Sequence, residues 1–206
     1  VEHHAALPYA DTAEFMTALR AQPGTAARAL ELAILSAART GEVIGATWGE
    51  INLGEKVWTI PPERMKAGRE HRVPLSPAAV AVLRGMLPLR DTKHGDYIFP
   101  GGKAGRPLSN MAMTAVLRRM DRGTLTVHGF RSTFRDWVAE RTSYPREVAE
   151  MALAHTVGNA VELAYRRSDL FEKRRALMTA WAAFCSKPAT ASDNVASIGK
   201  KVVAHK

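Results

Sequence analysis

The sequence predicts a mainly helical fold with one small antiparallel β-sheet. Three observations lead there. Apolar residues recur at helical spacing in several separate segments, many of them opened by capping or proline signals. Only two short segments alternate like strands, and they stand close together. Hydrophobic residues make up 46% of the 206, enough for a buried core and too many for wholesale disorder.

Residues 1–8 carry no periodicity and read as the remnant of a linker, and the chain starts without methionine. Asp11-Thr12-Ala13-Glu14 has the spacing of a capping box and opens a helix carrying Phe15, Met16 and Leu19. Pro23-Gly24 ends it. Ala26 to Ala38 is apolar nearly all round, with Arg28 and Glu31 its only charges, so this helix should be buried. A short helical turn follows Gly41. Val57–Ile60 and His71–Leu75 alternate and are joined by the polar stretch 61–70, which predicts a β-hairpin. Ser76-Pro77 is a cap followed by a proline at the first helical position, starting a helix that runs to about Leu87. Pro100 to Pro107 is a glycine-rich basic loop, and Ser109 is expected to cap a helix to about Met120. Further helices are expected at roughly 129–141, 145–154, 159–166 and 169–186. Residues 9–186 thus form one domain, and 187–206, small and polar, are expected to be a mobile tail.

Lys plus Arg number 29 against 20 Asp plus Glu, a formal net charge of +9. That excess favours a polyanionic partner, most often nucleic acid. One cysteine, Cys185, excludes a disulfide framework and any cysteine-rich zinc module. It sits on an apolar helix and reads as core. The seven histidines are scattered, and no close pair of aspartates suggests a two-metal nuclease. Gly101-Gly102-Lys103-Ala104 lacks the hydroxyl residue and glycine spacing of a phosphate-binding P-loop. No run approaches the length of a membrane span, and no secretory signal opens the chain, so a cytoplasmic protein is expected.

Five places hold residues that could carry chemistry, and each has a plain structural alternative. Arg39 ends the buried helix; its guanidinium needs an anion there, or it pairs with Glu42 or the helix terminus. Lys66 lies in the hairpin connection, as a solvated surface charge or as a proton donor reaching into a cleft. His128 and Arg131 stand three apart, one helical turn, and face a common anion or are a helix-start histidine and a surface arginine. His155 follows a helix, as a structural imidazole or a site residue. Tyr165 is a half-buried anchor, or a phenolic nucleophile beside Arg166 and Arg167.

The order of these residues is more specific than any one of them. Arg39 in Arg-Thr-Gly-Glu precedes the hairpin lysine; His128-x-x-Arg131 follows, then Leu-Ala-His ending at His155, then Tyr165 ten residues on. This pattern resembles the catalytic domain of the tyrosine recombinases, the phage-integrase family, from about Leu7 to Ser186. Trp48 to Ile51, His71 to Ser76 and Arg174 to Trp181 extend the likeness.

The resemblance implies a DNA strand-cutting and rejoining enzyme, bacterial or phage-encoded, that works through a 3′-phosphotyrosine link without cofactor, metal or ATP. It implies that Arg39 and Arg131 clamp the scissile phosphate and His128 assists proton transfer. His155 adds a hydrogen bond, Lys66 protonates the departing 5′ oxygen, and Tyr165 attacks phosphorus, with Glu42 supporting the site. The implied partners are double-stranded DNA, bound by a homotetramer that is weakly associated or monomeric off DNA, and accessory DNA-bending proteins. A separate DNA-clamping domain is expected ahead of residue 1. Two rivals share this scaffold: a type IB topoisomerase-like relaxing enzyme and a catalytically silent DNA-binding protein. An unrelated basic helical adaptor is the third.

Overall fold

A computed structural model describes residues 5–155 and 169–187. The described helices are α1 (Thr12–Arg20), α2 (Thr25–Ser36), α3 (Thr40–Ile44), α4 (Pro77–Met86), α5 (Ala112–Arg119), α6 (Gly129–Arg141), α7 (Arg146–Ala152) and α8 (Phe171–Phe184). Strands β1 (Ile51–Asn52), β2 (Val57–Ile60) and β3 (His71–Pro74) form one antiparallel sheet in the order β1-β2-β3. The fold class is therefore the expected one. The expected helix at 159–166 and the tail beyond Lys187 lie outside the described residues, as do residues 1–4.

Helix α2 is the centre of the packing, touching α1, α3, α4, α5, α6 and α8. Its two charges are reconciled with burial by pairing. Glu31 receives Arg28 at 2.7 Å and Arg20 at 2.7 Å, and Arg28 also donates to the Leu19 carbonyl at 2.9 Å, near the end of α1. A buried carboxylate with two guanidinium partners avoids the cost of a lone buried charge. The helix ends two residues earlier than expected, because Ala37 turns left-handed (φ 52) and directs Arg39 away from the core. On the far side, Phe134 and Trp137 of α6 pack against Trp181 and Phe184 of α8, and the Trp181 indole donates to the Ile34 carbonyl at 2.8 Å. Cys185 is fully buried beside them, and burial pushes its thiol well above the ordinary range.

The hairpin register pairs Trp58 with Val73 and Ile60 with His71. Ser76 caps α4 by accepting from the Ala79 amide, with Pro77 next, as its sequence dictates. Other expectations need correction. Asp11 has helical backbone angles and makes no side-chain cap, because a 3₁₀ turn over Tyr9–Asp11 already leads into α1. Ser109 contributes its carbonyl to the Ala112 amide, and α5 starts at Ala112. β1 was not expected; at two residues it is too short to show a period.

Ala5 to Leu7 pack on the start of α6. The Ala5 carbonyl accepts from the Thr126 amide at 3.2 Å, the Leu7 carbonyl accepts from the Thr133 hydroxyl at 2.6 Å, and Leu7 is buried. Gly129 permits this approach: a Cβ there would lie 2.2 Å from the Ala5 carbonyl oxygen and 3.0 Å from the Ala6 Cα. Gly129→Ala is expected to lower stability by about 1–3 kcal/mol in denaturant unfolding. Gly85→Ala on α4, where nothing lies within 4 Å of the added carbon, serves as control and is expected to be neutral or stabilising.

Candidate active site

The site forms where α7 ends. The Ala154 amide bonds the Met151 carbonyl at 3.1 Å and the His155 amide bonds the Glu150 carbonyl at 2.9 Å, the paired bonds of a Schellman turn. The turn needs a left-handed residue, and Ala154 supplies it (φ 51) at a cost of about 1 kcal/mol. Two consequences follow. The turn brings His155 back over Glu150, and it leaves the Leu153 and Ala154 carbonyls, at the negative end of α7, open to cations.

Two arginines take those carbonyls. Arg131, in the first turn of α6, is buried and donates to the Leu153 carbonyl at 2.7 Å and to the carbonyl of Ala37. Arg39, just ahead of α3, reaches the Leu153 and Ala154 carbonyls at 3.4 and 3.5 Å. It also meets the buried Glu42, which accepts the Arg39 backbone amide at 2.8 Å and its guanidinium at 2.7 Å. The plain alternative for Arg39, pairing with Glu42, is thus realised together with convergence on Arg131. Arg39 keeps 26% of its side chain in solvent, so it is the outer and Arg131 the inner member of the pair. Burial, with Arg39 alongside, pulls Arg131 down to about 10, still a cation at neutral pH. An anion between the two would relieve their repulsion.

His155 joins Arg131 at 3.1 Å through Nε2 and Glu150 at 2.6 Å through Nδ1. A guanidinium can only donate, so Nε2 accepts and Nδ1 carries the proton to Glu150. Glu150 also meets Arg135 at 3.0 Å and Arg146 at 3.6 Å. Burial works against its charge, but the His155 hydrogen bond and these cations outweigh it and hold the carboxyl below its ordinary value. Glu150 orients the imidazole, and the sequence reading missed it. Its only sequence signal is a position five before His155.

Of the other candidates, His128 is exposed immediately before α6, on the same helix start as Arg131. Lys66 is exposed in the hairpin connection. Two of its basic neighbours are otherwise engaged: Arg64 turns inward onto Glu50, and Arg72 lies over the Phe171 ring and pairs with Asp169 at 3.3 Å. Tyr165 lies outside the described residues. Among the described tyrosines, Tyr9 donates to Glu140 at 2.8 Å, which raises its pKa, the reverse of activation. Among the described residues, no group of three His, Cys, Asp or Glu could hold a metal ion, and no helix is long and apolar enough to cross a membrane.

His71 was also missed. It is partly buried on β3, and burial, then Arg174, drives its pKa down to about 4 despite Glu42. The unfolded chain therefore binds more protons than the folded one between about pH 4 and 6.5, so stability falls as pH drops through that window. The loss is expected to reach up to about 3 kcal/mol in chemical unfolding followed against pH. His71→Gln should flatten the curve there; an unchanged curve would assign the acid sensitivity elsewhere.

The family model described as "Phage integrase family" matches residues 7–170, most of the chain. The chain belongs to the phage integrase family. Prophage integrase IntA of Escherichia coli K12 is 40% identical over 151 residues, 72% of this chain and 36% of the relative. Prophage integrase IntZ of the same strain is 35% identical over 182 residues, 87% of this chain and 44% of the relative. The integrase of Enterobacteria phage P4 is 31% identical over 199 residues, 87% of this chain and 45% of the relative. This member of the phage integrase family thus spans less than half the length of these relatives. Its fold is similar to that of the integrase from mycobacterium phage Brujita (TM-score 0.63, 16% identity, 87% of this chain and 58% of that one). It is also similar to XerA recombinase (TM-score 0.60, 16% identity, 84% and 64%). A tetramer of lambda integrase bound to a Holliday junction gives a TM-score of 0.58 at 18% identity, over 78% and 49%.

Proposed function

We propose that this chain is the catalytic part of a site-specific DNA recombinase, an integrase that cuts and rejoins strands through a 3′-phosphotyrosine intermediate. One observation carries the reading: Arg39, Arg131 and His155, from three separate segments, meet at the Leu153 carbonyl end of α7. Two guanidiniums at one spot, the inner one tied to an imidazole, suit the charge that builds on the equatorial oxygens of a phosphodiester under attack. Membership of the phage integrase family supports the same chemistry.

In the forward step the Tyr165 oxygen forms a bond to phosphorus and the bond from phosphorus to O5′ breaks. The phenol proton passes to His128, and Lys66 gives a proton to the departing O5′. A 5′-hydroxyl strand attacking the phosphotyrosine reverses each transfer and regenerates Tyr165. The bond energy stays in the phosphotyrosine link, so rejoining needs no ATP. Arg39 and Arg131 hold the non-bridging oxygens throughout, Glu42 holds Arg39, and Glu150 holds His155. The substrate is double-stranded DNA, and the lambda integrase tetramer on a Holliday junction supports a tetrameric assembly for this chain on DNA.

A nicked suicide duplex tests the reading, because the small 5′-hydroxyl fragment diffuses away and traps the covalent complex. The expected product is a protein–DNA band that survives denaturant, with peptide mapping that places the nucleotide on Tyr165. Linkage to another residue, or a band that denaturant removes, would overturn it.

A further inference from the structure

The hairpin connection that carries Lys66 is exposed, yet its root is held tightly. Arg64 donates through one guanidinium nitrogen to both carboxylate oxygens of Glu50 and through the other to the backbone carbonyl of Glu42. Glu50 is itself fixed by the fully buried Trp58, whose indole donates to it at 2.8 Å. Arg64 and Glu50 keep only 21% and 10% of their side chains in solvent, so this is a largely desolvated, charge-assisted pair rather than a loose surface contact. Gly45 leaves the room: a Cβ there would stand 3.0 Å from the guanidinium. Met65, next in the chain, is buried in the core.

The outward turn starts at once from this root. The Gly68 amide closes onto the Met65 carbonyl at 2.9 Å, with Gly68 left-handed (φ 61), so Lys66 and Ala67 are the two central residues of a tight turn. Glu42 joins the two halves. Its carbonyl receives Arg64 and its carboxylate receives Arg39. A single residue thus connects the root of the Lys66 turn to a guanidinium of the phosphate site.

We propose that Arg64, gripped by Glu50, is a positioning residue that sets where Lys66 stands relative to Arg39. The proposal rests on the reading of Lys66 as the proton donor. The pair acts by distance: a donor on a flexible stem protonates O5′ efficiently only if its root is fixed relative to the clamped phosphate.

The test replaces O5′ at the scissile position by sulfur. A thiol has a reference pKa of about 8.5, so a thiolate departs without an acid's help. The readout is the single-turnover rate of covalent-complex formation at saturating protein on the oxygen and sulfur duplexes. Arg64→Met is expected to slow the oxygen duplex about tenfold or more, yet to stay within about threefold of wild type on sulfur. Lys66→Ala should show the same rescue, and the double variant should be no slower on oxygen than Lys66→Ala alone. Glu50→Gln, which keeps the shape and lowers the charge, should show a weaker form of the same pattern, so the outcome does not depend on one variant folding. Equal slowing of Arg64→Met and Glu50→Gln on both duplexes would overturn the proposal, as would fully additive losses in the double variant. If Lys66→Ala is not rescued by sulfur, Lys66 is not the donor and the proposal falls with it, while the phosphotyrosine chemistry stands. If wild type forms no covalent complex on either duplex, the recombinase reading itself fails.

Discussion

Tyr165→Phe is expected to abolish the covalent protein–DNA complex on a suicide duplex while leaving DNA binding in place. The substitution removes one oxygen and keeps the ring, so packing and charge are unchanged. Without that oxygen nothing remains to form the bond to phosphorus. The other three tyrosines are poor substitutes. Tyr9 is held by Glu140 in its protonated form, Tyr97 belongs to the isolated bridge with Thr47, and Tyr144 lies between α6 and α7. The described residues nearest to Tyr165 on either side are each anchored. His155 is bonded to Glu150, and Asp169 is bonded to the buried Arg174 at 2.8 Å. Denaturing electrophoresis measures the result, and a band of wild-type intensity from the variant would remove Tyr165 from its role.

Arg131→Lys is expected to slow covalent-complex formation by about 10²–10³-fold, the size of loss seen when one well-placed donor to a developing oxyanion is removed. The charge survives, so charge alone is not what is tested. Arg131 satisfies three acceptors from one planar fork: Ala37, Leu153 and His155. An ammonium on a flexible stem cannot meet all three and a phosphate oxygen as well. The carbonyl left unsatisfied inside the core is expected to lower stability by about 1–3 kcal/mol. Unfolding and rate measurements on the same preparation separate the two effects. A rate within about threefold of wild type would show that Arg131 is only a structural tie.

Much of this was readable in the residues, but unevenly. Ser76-Pro77 named its helix start because a hydroxyl cap and a fixed φ act within four residues, and both operate as written. Asp11 and Ser109 carried similar local signals and did not cap: a 3₁₀ turn already sets Asp11 in helical backbone, and the Ser109 backbone carbonyl takes the Ala112 amide. Arg39, Arg131 and His155 were named by their order in the chain. Glu150, Arg64 and His71 were not, since each draws its significance from neighbours distant in sequence: Glu150 from Arg135 and His155, Arg64 from Glu42 and Glu50, His71 from Glu42 and Arg174.

Sequence alone determined the helical class with its single hairpin, the buried α2 and the basic charge, because these follow from composition, local caps and short periods; the candidate site residues were named only by their order in the chain and the family resemblance it carries. Tertiary structure alone decided that the left-handed turn at Ala154 presents the Leu153 carbonyl to two arginines, and that a desolvated Arg64–Glu50 pair anchors the lysine turn. Such contacts join segments up to 115 residues apart. Their energies depend on burial and direction, which no local pattern of residues encodes.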